Sequence, residues 1–191
     1  MTWWDHDTGS IWSQPLGEAI MGPRKGETLE LLTSTIVRWG DWRGSHPDTL
    51  ALDAPNGDIG RTLDDLVIVV ELGGESVAFP ISTLRQVGVA NEYVGGTPVA
   101  VVALADTGQW EVFARQLDDR VVQLELVDGQ LLDLESGVRF DPVLGRSSTG
   151  GQALRRLPSF SSFPDDYPTF FPDGQVWTVD GLVQVVLEPG G

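Results

Sequence analysis

Asp7-Thr8-Gly9-Ser10-Ile11-Trp12-Ser13-Gln14 opens the stretch that decides how this sequence is organised. It runs on through Gly17, Ala19, Gly22, Gly26 and Leu29 to Trp39, Trp42 and His46-Pro47-Asp48. A degenerate copy returns over residues 134–173. At an offset of 128, Gly9 meets Gly137, Trp12 meets Phe140, Gly17 meets Gly145 and Gly22 meets Gly150. A three-residue deletion then shortens the offset to 125. Gly26 now meets Gly151, Leu29 meets Leu154, Leu32 meets Leu157 and Trp42 meets Tyr167, while His46-Pro47-Asp48 meets Phe171-Pro172-Asp173. Glycines fall on glycines where backbone freedom is needed, and aromatics fall on aromatics. Ordered matches of this kind describe duplication of one structural unit.

Working outward, residues 10–14 and 28–32 carry the residue types of short strands. Pro15, Gly17, Gly22, Pro23 and Gly26 make the span between them turn-rich. Ser34 or Thr35 can cap a helix that runs to Gly44, and Pro47 stops it. Residues 50–52 lead out as a strand. Ala54 to Asp65, with Pro55 and Asn56-Gly57, reads as a linker.

The block between the copies is clearer. Leu66-Val67-Ile68-Val69-Val70-Glu71-Leu72 is the apolar, β-branched run of a strand buried on both faces. Gly73-Gly74 supplies the positive φ of a two-residue hairpin turn, and residues 75–79 return as its partner. Residues 81–87 form a helix with Ser82 as cap. Residues 89–93, 98–105 and 109–116 are further strands. Hairpins follow around Asp128-Gly129 and Asp180-Gly181. The expected class is mainly β, a β-rich α+β fold with two or three short helices. Its blocks are residues 1–53, a linker at 54–65, a central β block at 66–133 and a second repeat block at 134–191, forming one compact domain.

Composition narrows the function classes. Lys plus Arg is 12 against 28 for Asp plus Glu, giving a formal net charge of −16. Such a chain repels phosphate backbones, so nucleic acid is excluded as a partner. Scattered Asp, a single lysine (Lys25) and 41% hydrophobic residues fit a protein of a salt-loving organism. Cysteine is absent, which removes disulfides, thiolate metal sites and a cysteine nucleophile. No apolar run approaches the ~20 residues of a membrane helix. The N-terminus, Met-Thr-Trp-Trp-Asp-His-Asp, lacks the basic and apolar regions of a signal peptide, so the expected location is cytoplasmic.

The motifs resemble a known family. Asp7-Thr8-Gly9-Ser10-Ile11-Trp12-Ser13-Gln14, then Gly17-Glu18-Ala19-Ile20, Trp39-Gly40-Asp41-Trp42 and His46-Pro47-Asp48-Thr49 are similar to the domain of unknown function 3179 family. Gly73-Gly74-Glu75 with Ala78-Phe79-Pro80, and Asn91 with Gly95-Gly96-Thr97-Pro98-Val99, resemble two further blocks of it. The resemblance implies the fold and names no activity. It also implies an opening strand block with a Cys-Pro-Leu-Cys pair, and neither is in this sequence. The family's thiol chemistry is therefore not expected of this chain alone.

Two Asp-Thr-Gly triplets, at Asp7 and Asp106, match the aspartic-protease signature. They fall at non-equivalent places in the repeat, and Asp7 has no strand before it to hold it. A Ser-His-Asp set could be drawn from Ser10, His46 and Asp48, but no Gly-x-Ser-x-Gly elbow is present. Zinc would have to combine two histidines, His6 and His46, with carboxylates. Against that, His46 sits where a helix-end residue bonds the last carbonyls. Trp12, Trp39 and Trp42 read either as core aromatics or as a ligand platform. Two function classes remain. The first is a non-catalytic β-rich module that binds a protein partner or itself, with no cofactor and no metal. The second is an enzyme with a pocket in the first copy. The candidate binding residues are Ser10, Trp12, Gln14, His46, Asp48 and Asn91.

Overall fold

The computed structural model describes residues 2–34, 39–50, 63–105 and 109–185. The chain opens with a meander of β1 (Thr2–Trp4), β2 (Ile11–Ser13) and β3 (Glu18–Met21), followed by α1 (Trp39–Ser45). A 3-10 turn (Leu63–Asp65) leads into the central block. That block holds β4 (Val67–Leu72), β5 (Glu75–Pro80), α2 (Ile81–Val87), β6 (Val89–Val94), β7 (Thr97–Ala103) and β8 (Trp110–Ala114). The two-residue strands β9 (Gln116–Leu117) and β10 (Arg120–Val121) lead to β11 (Leu124–Val127), β12 (Gln130–Asp133) and β13 (Arg139–Phe140). The chain then forms β14 (Phe160–Ser162), α3 (Tyr167–Phe170), β15 (Gln175–Thr178) and β16 (Gly181–Gln184). The protein is mainly β, with short helices. No helix among the described residues is long and apolar enough to cross a membrane.

Strand alternation builds the layers. Ile68 and Val70 of β4 and Val77 and Phe79 of β5 face the β6–β7–β8 sheet, meeting Val99, Val101, Trp110 and Val112. Val67, Val69 and Ala78 face the other way, toward Tyr167 and Phe171. Ala100, Val102 and Phe113 point from the far face of β7 and β8 into a third cluster with Leu131, Phe140 and Leu154. The continuous apolar run of β4 thus reflects burial on both faces. The Gly73-Gly74 turn closes β4 on β5 with φ of 57° and 81°, a backbone that only glycine adopts without strain.

Residues 153–184 wrap the open edges of the central block. Ala114 N donates to Arg155 O and Leu157 N to Val112 O, both at 2.8 Å, so residues 155–157 line the edge of β8. β14 pairs antiparallel with β4, and β15 pairs parallel with β5. Every described edge of β4, β5 and β8 is thereby covered, which removes a template for misassociation.

Several expectations need correction. Residues 28–32 form a single bridge at Thr28, to Glu18, and no strand beyond it, because no neighbouring strand lies alongside. Ser82 does not cap α2; Pro80 occupies the N-cap, and no side chain bonds there. Ile81 N, the first amide of the helix, instead donates to Leu66 O at 3.1 Å. The last hairpin turns at Val179-Asp180, since Thr178 already pairs with Gly181. Trp39 and Trp42 are exposed and are not core residues, whereas Trp12 is buried. Residues 35–38 and 51–62 and the triplet at 106–108 lie outside the described residues, and with them the expected cap at Thr35, most of the 50–52 strand and the bulk of the linker.

Candidate functional site

Among the described residues, several backbone bonds within residues 5–46 recur within residues 133–171. Asp5 N donates to Ser10 O and Gly9 N to Asp5 O; Asp133 N donates to Val138 O and Gly137 N to Asp133 O, all at 2.8–2.9 Å. Within each turn the aspartate caps the backbone: Asp5 Oδ1 accepts from Asp7 N, and Asp133 Oδ1 from Glu135 N. The other carboxylate oxygen takes a hydroxyl, Thr8 in the first turn and Ser136 in the second. Strand register follows suit, with Trp3 opposite Trp12 in β1–β2 and Leu131 opposite Phe140 in β12–β13. Beyond the deletion, Leu29 N donates to Gly17 O and Leu154 N to Gly145 O, at 2.8 and 2.9 Å. In the helices His46 N bonds Trp42 O and Phe171 N bonds Tyr167 O. Their rings stack as well, Trp42 on His46 at 3.7 Å and Tyr167 on Phe171 at 5.3 Å.

The two aspartates sit in different electrostatic settings. Thr8 and the amide of Asp7 hold the exposed Asp5 carboxyl below the ordinary carboxylate range. Burial pushes Asp133 up, but bonds from Arg120, Ser136 and the Glu135 amide outweigh it and leave it lowered. Arg120 thus ties β10 to the second turn.

The equivalent side chains differ sharply in burial. Leu131, Leu154, Leu157 and Tyr167 are 0%, 3%, 4% and 1% exposed, all under the central block; their counterparts Trp3, Leu29, Leu32 and Trp42 are 47%, 52%, 71% and 39% exposed. Trp4 and Leu31 are exposed as well. A groove of about 430 Å³ is lined by Trp3, Trp4, Asp5, Asp7, Thr8, Trp12, Arg24 and Leu29. The Arg24 guanidinium lies 5.3 Å from the Trp12 ring centre and pairs with Glu27, closing the groove's base.

Of the six residues proposed from the sequence, Trp12 alone lines this groove. Ser10 is fully buried, with its hydroxyl within 2.8 Å of Thr8 Oγ1 and accepting from Arg24 N. Gln14 and Asp48 are exposed. His46 lies past the end of α1, stacked on Trp42, with its Nδ1 3.2 Å from Trp42 O. Asn91 is far along the chain and bonds both the amide and the carbonyl of Leu124, clamping β6 to β11. Trp3, Trp4, Leu31 and Leu32 were missed as a set. Extending the 128 offset a few residues toward the N-terminus would have aligned Trp3-Trp4 with Leu131-Leu132. Among the described residues no group of three or more His, Cys, Asp or Glu is arranged to hold a metal ion.

A second cavity of about 440 Å³ lies on the outer face of β4, β5, β15 and β16, between Tyr167, Pro168, Val176 and Val185. Its lining is mostly apolar, and Asp64, one of its polar residues, pairs with Arg85.

No curated protein and no solved structure matches the chain. A family model described as "Protein of unknown function (DUF3179)" matches it in two segments, residues 1–65 and 56–174. With the family's motifs spread over both the first unit and the central block, the chain belongs to the DUF3179 family.

Proposed function

We propose that this chain is a non-catalytic binding and assembly module, and that its first unit docks a protein partner through the exposed face of Trp3, Trp4, Leu29, Leu31 and Leu32. One observation carries the reading: Leu131, Leu154 and Leu157 of the second unit are buried against the central block, while their counterparts Trp3, Leu29 and Leu32 in the first unit meet solvent. Exposed large apolar side chains grouped at one groove, as Trp3, Trp4 and Leu29 are, mark interaction sites. The shared bonding of the two turns supports descent from one duplicated unit, built to grip a strand block. The acid excess suits a salt-rich setting, where charge repulsion is screened. No chemistry is assigned, because Ser10, Gln14 and His46 do not line the groove with Trp12.

The test is light scattering with an apolar fluorescent dye on the intact chain in high salt, beside a Trp3→Ser, Leu29→Ser, Leu32→Ser variant. The reading expects self-association or strong dye binding in the parent, lost in the variant. A monodisperse parent that binds no dye defeats it.

A further inference from the structure

We infer that the occupant of the first unit is an extended strand that adds alongside residues 30–32 and inserts one aromatic ring into the groove beside Trp12 and Leu29. This rests on the docking reading and specifies its partner's chemistry.

The second unit shows what its own groove holds. Phe113 of β8 stands opposite Arg156 in an antiparallel bridge. Its ring packs with Leu131, Phe140 and Leu154. It also reaches the floor of the turn: a Cβ placed on Gly145 would lie 2.8 Å from the ring's Cε1. Glycine at this position therefore does two jobs, adopting φ of 68° and leaving room for the ring.

The first unit has the same positions without the ring: the Arg24 guanidinium lies over Trp12, and a groove is open beside Trp12 and Leu29. Trp3, Trp12 and Leu29 stand where Leu131, Phe140 and Leu154 stand. Gly17 has φ of 59°, and a Cβ there would meet only Leu29, at 3.8 Å. The strand edge is open too. Arg155 O and Leu157 N bond β8, whereas among the described residues their counterparts Glu30 O and Leu32 N have no backbone partner. A donor, an acceptor and a hole for a ring, in the spacing that β8 satisfies, define a strand-addition site with one side-chain pocket. A small flat ligand would fill the hole but leave Glu30 O and Leu32 N to water.

The probe is a capped peptide with the sequence of residues 109–115, carrying Trp110→Leu so that it adds no tryptophan emission. It is titrated into the intact chain. Expected is a saturable change in the chain's tryptophan emission and slowed exchange of the Leu32 amide. A second peptide with Phe113→Ala binds at least tenfold more weakly. In the chain, Leu32→Pro removes the donor and abolishes binding, while Leu32→Ala keeps the donor and retains it; both changes fall at Leu32, which is exposed and outside any strand or helix, so folding is not at stake. Equal affinity of the two peptides, no saturable response, or full binding by the Leu32→Pro chain overturns the proposal. If the peptides fail while the serine variant still alters mass or dye binding, the strand proposal falls and the docking reading stands. If neither responds, both fall.

Discussion

Phe113 and Gly145 are fitted to one another: the phenyl ring of β8 occupies the space a side chain at 145 would need, with Cε1 2.8 Å and Cδ1 3.2 Å from an ideal Cβ. Leu154 O, also 2.8 Å away, closes the other side. Gly145→Ala therefore meets two costs, a positive φ worth about 1–2 kcal/mol and overpacking worth about 1–3 kcal/mol. Gly17→Ala meets only the first. Urea unfolding should place Gly145→Ala well below Gly17→Ala in stability. Equal losses would mean the Phe113 ring yields without cost.

Acid should loosen the second unit through Asp133. Its carboxyl is held below the ordinary range despite burial, by Arg120 and Ser136. A carboxyl with a lowered folded-state pKa contributes stability above the unfolded value of ~3.9. That contribution is lost as pH falls through the folded value. Unfolding midpoints should thus drop below about pH 4, and Asp133→Asn should flatten that limb. At pH 7 the substitution should cost about 1–3 kcal/mol, because the carboxylate's bonds to Arg120, Ser136 and the Glu135 amide are weakened together. An unchanged acid limb in Asp133→Asn would remove Asp133 from the explanation.

Alkali should act at the other end of the same unit. Burial raises the Tyr167 phenol, while bonds to Ser76 and the Gln175 carbonyl pull the other way without cancelling it. A raised folded pKa means stability that is present below the unfolded value of ~10 and lost as pH climbs through the folded one. Tyr167→Phe should cost about 1 kcal/mol at neutral pH and should delay alkaline unfolding relative to the parent. Absorbance of the phenolate during a pH titration, followed beside circular dichroism, checks both. Ionisation of Tyr167 before any unfolding would contradict the buried setting.

How much of this was legible beforehand depended on where partners come from. The central block was readable because its strands pair with their chain neighbours, so Val67 to Leu72 and the Gly73-Gly74 turn carried their own register. The α2 helix was readable for the same local reason. Residues 28–32 have strand composition but no strand, since pairing needs a neighbour that sequence pattern cannot supply. The tryptophans misled for a related cause. Trp12 is buried by its own turn and Arg24, while Trp42 occupies a position whose counterpart, Tyr167, is buried through contact with β4 and β5. Residue type states a preference for burial; whether a surface exists to bury against is a property of the assembly.

Salt should change this protein's stability more than pH does near neutrality. With 28 acidic residues against 12 basic ones, carboxylates outnumber cations more than two to one. The ion pairs that do form sit at turns and strand ends, as in Arg24–Glu27, Arg120–Glu135 and Arg156–Glu111. Repulsion among the rest opposes compaction, and it reaches ~10 Å at 0.1 M salt but only ~3 Å at 1 M. Screening also weakens exposed pairs such as Arg24–Glu27, but exposed ion pairs add little stability, so relief of repulsion dominates. The melting temperature should rise steadily from 0.05 to 2 M potassium chloride, with most of the gain below about 1 M, where screening length changes most. Potassium sulfate at matched ionic strength separates screening from a general strengthening of apolar burial, which sulfate promotes further. Equal or higher stability in dilute buffer would show that the acid excess is not a burden that salt relieves, and the salt-adapted reading of this chain would be abandoned.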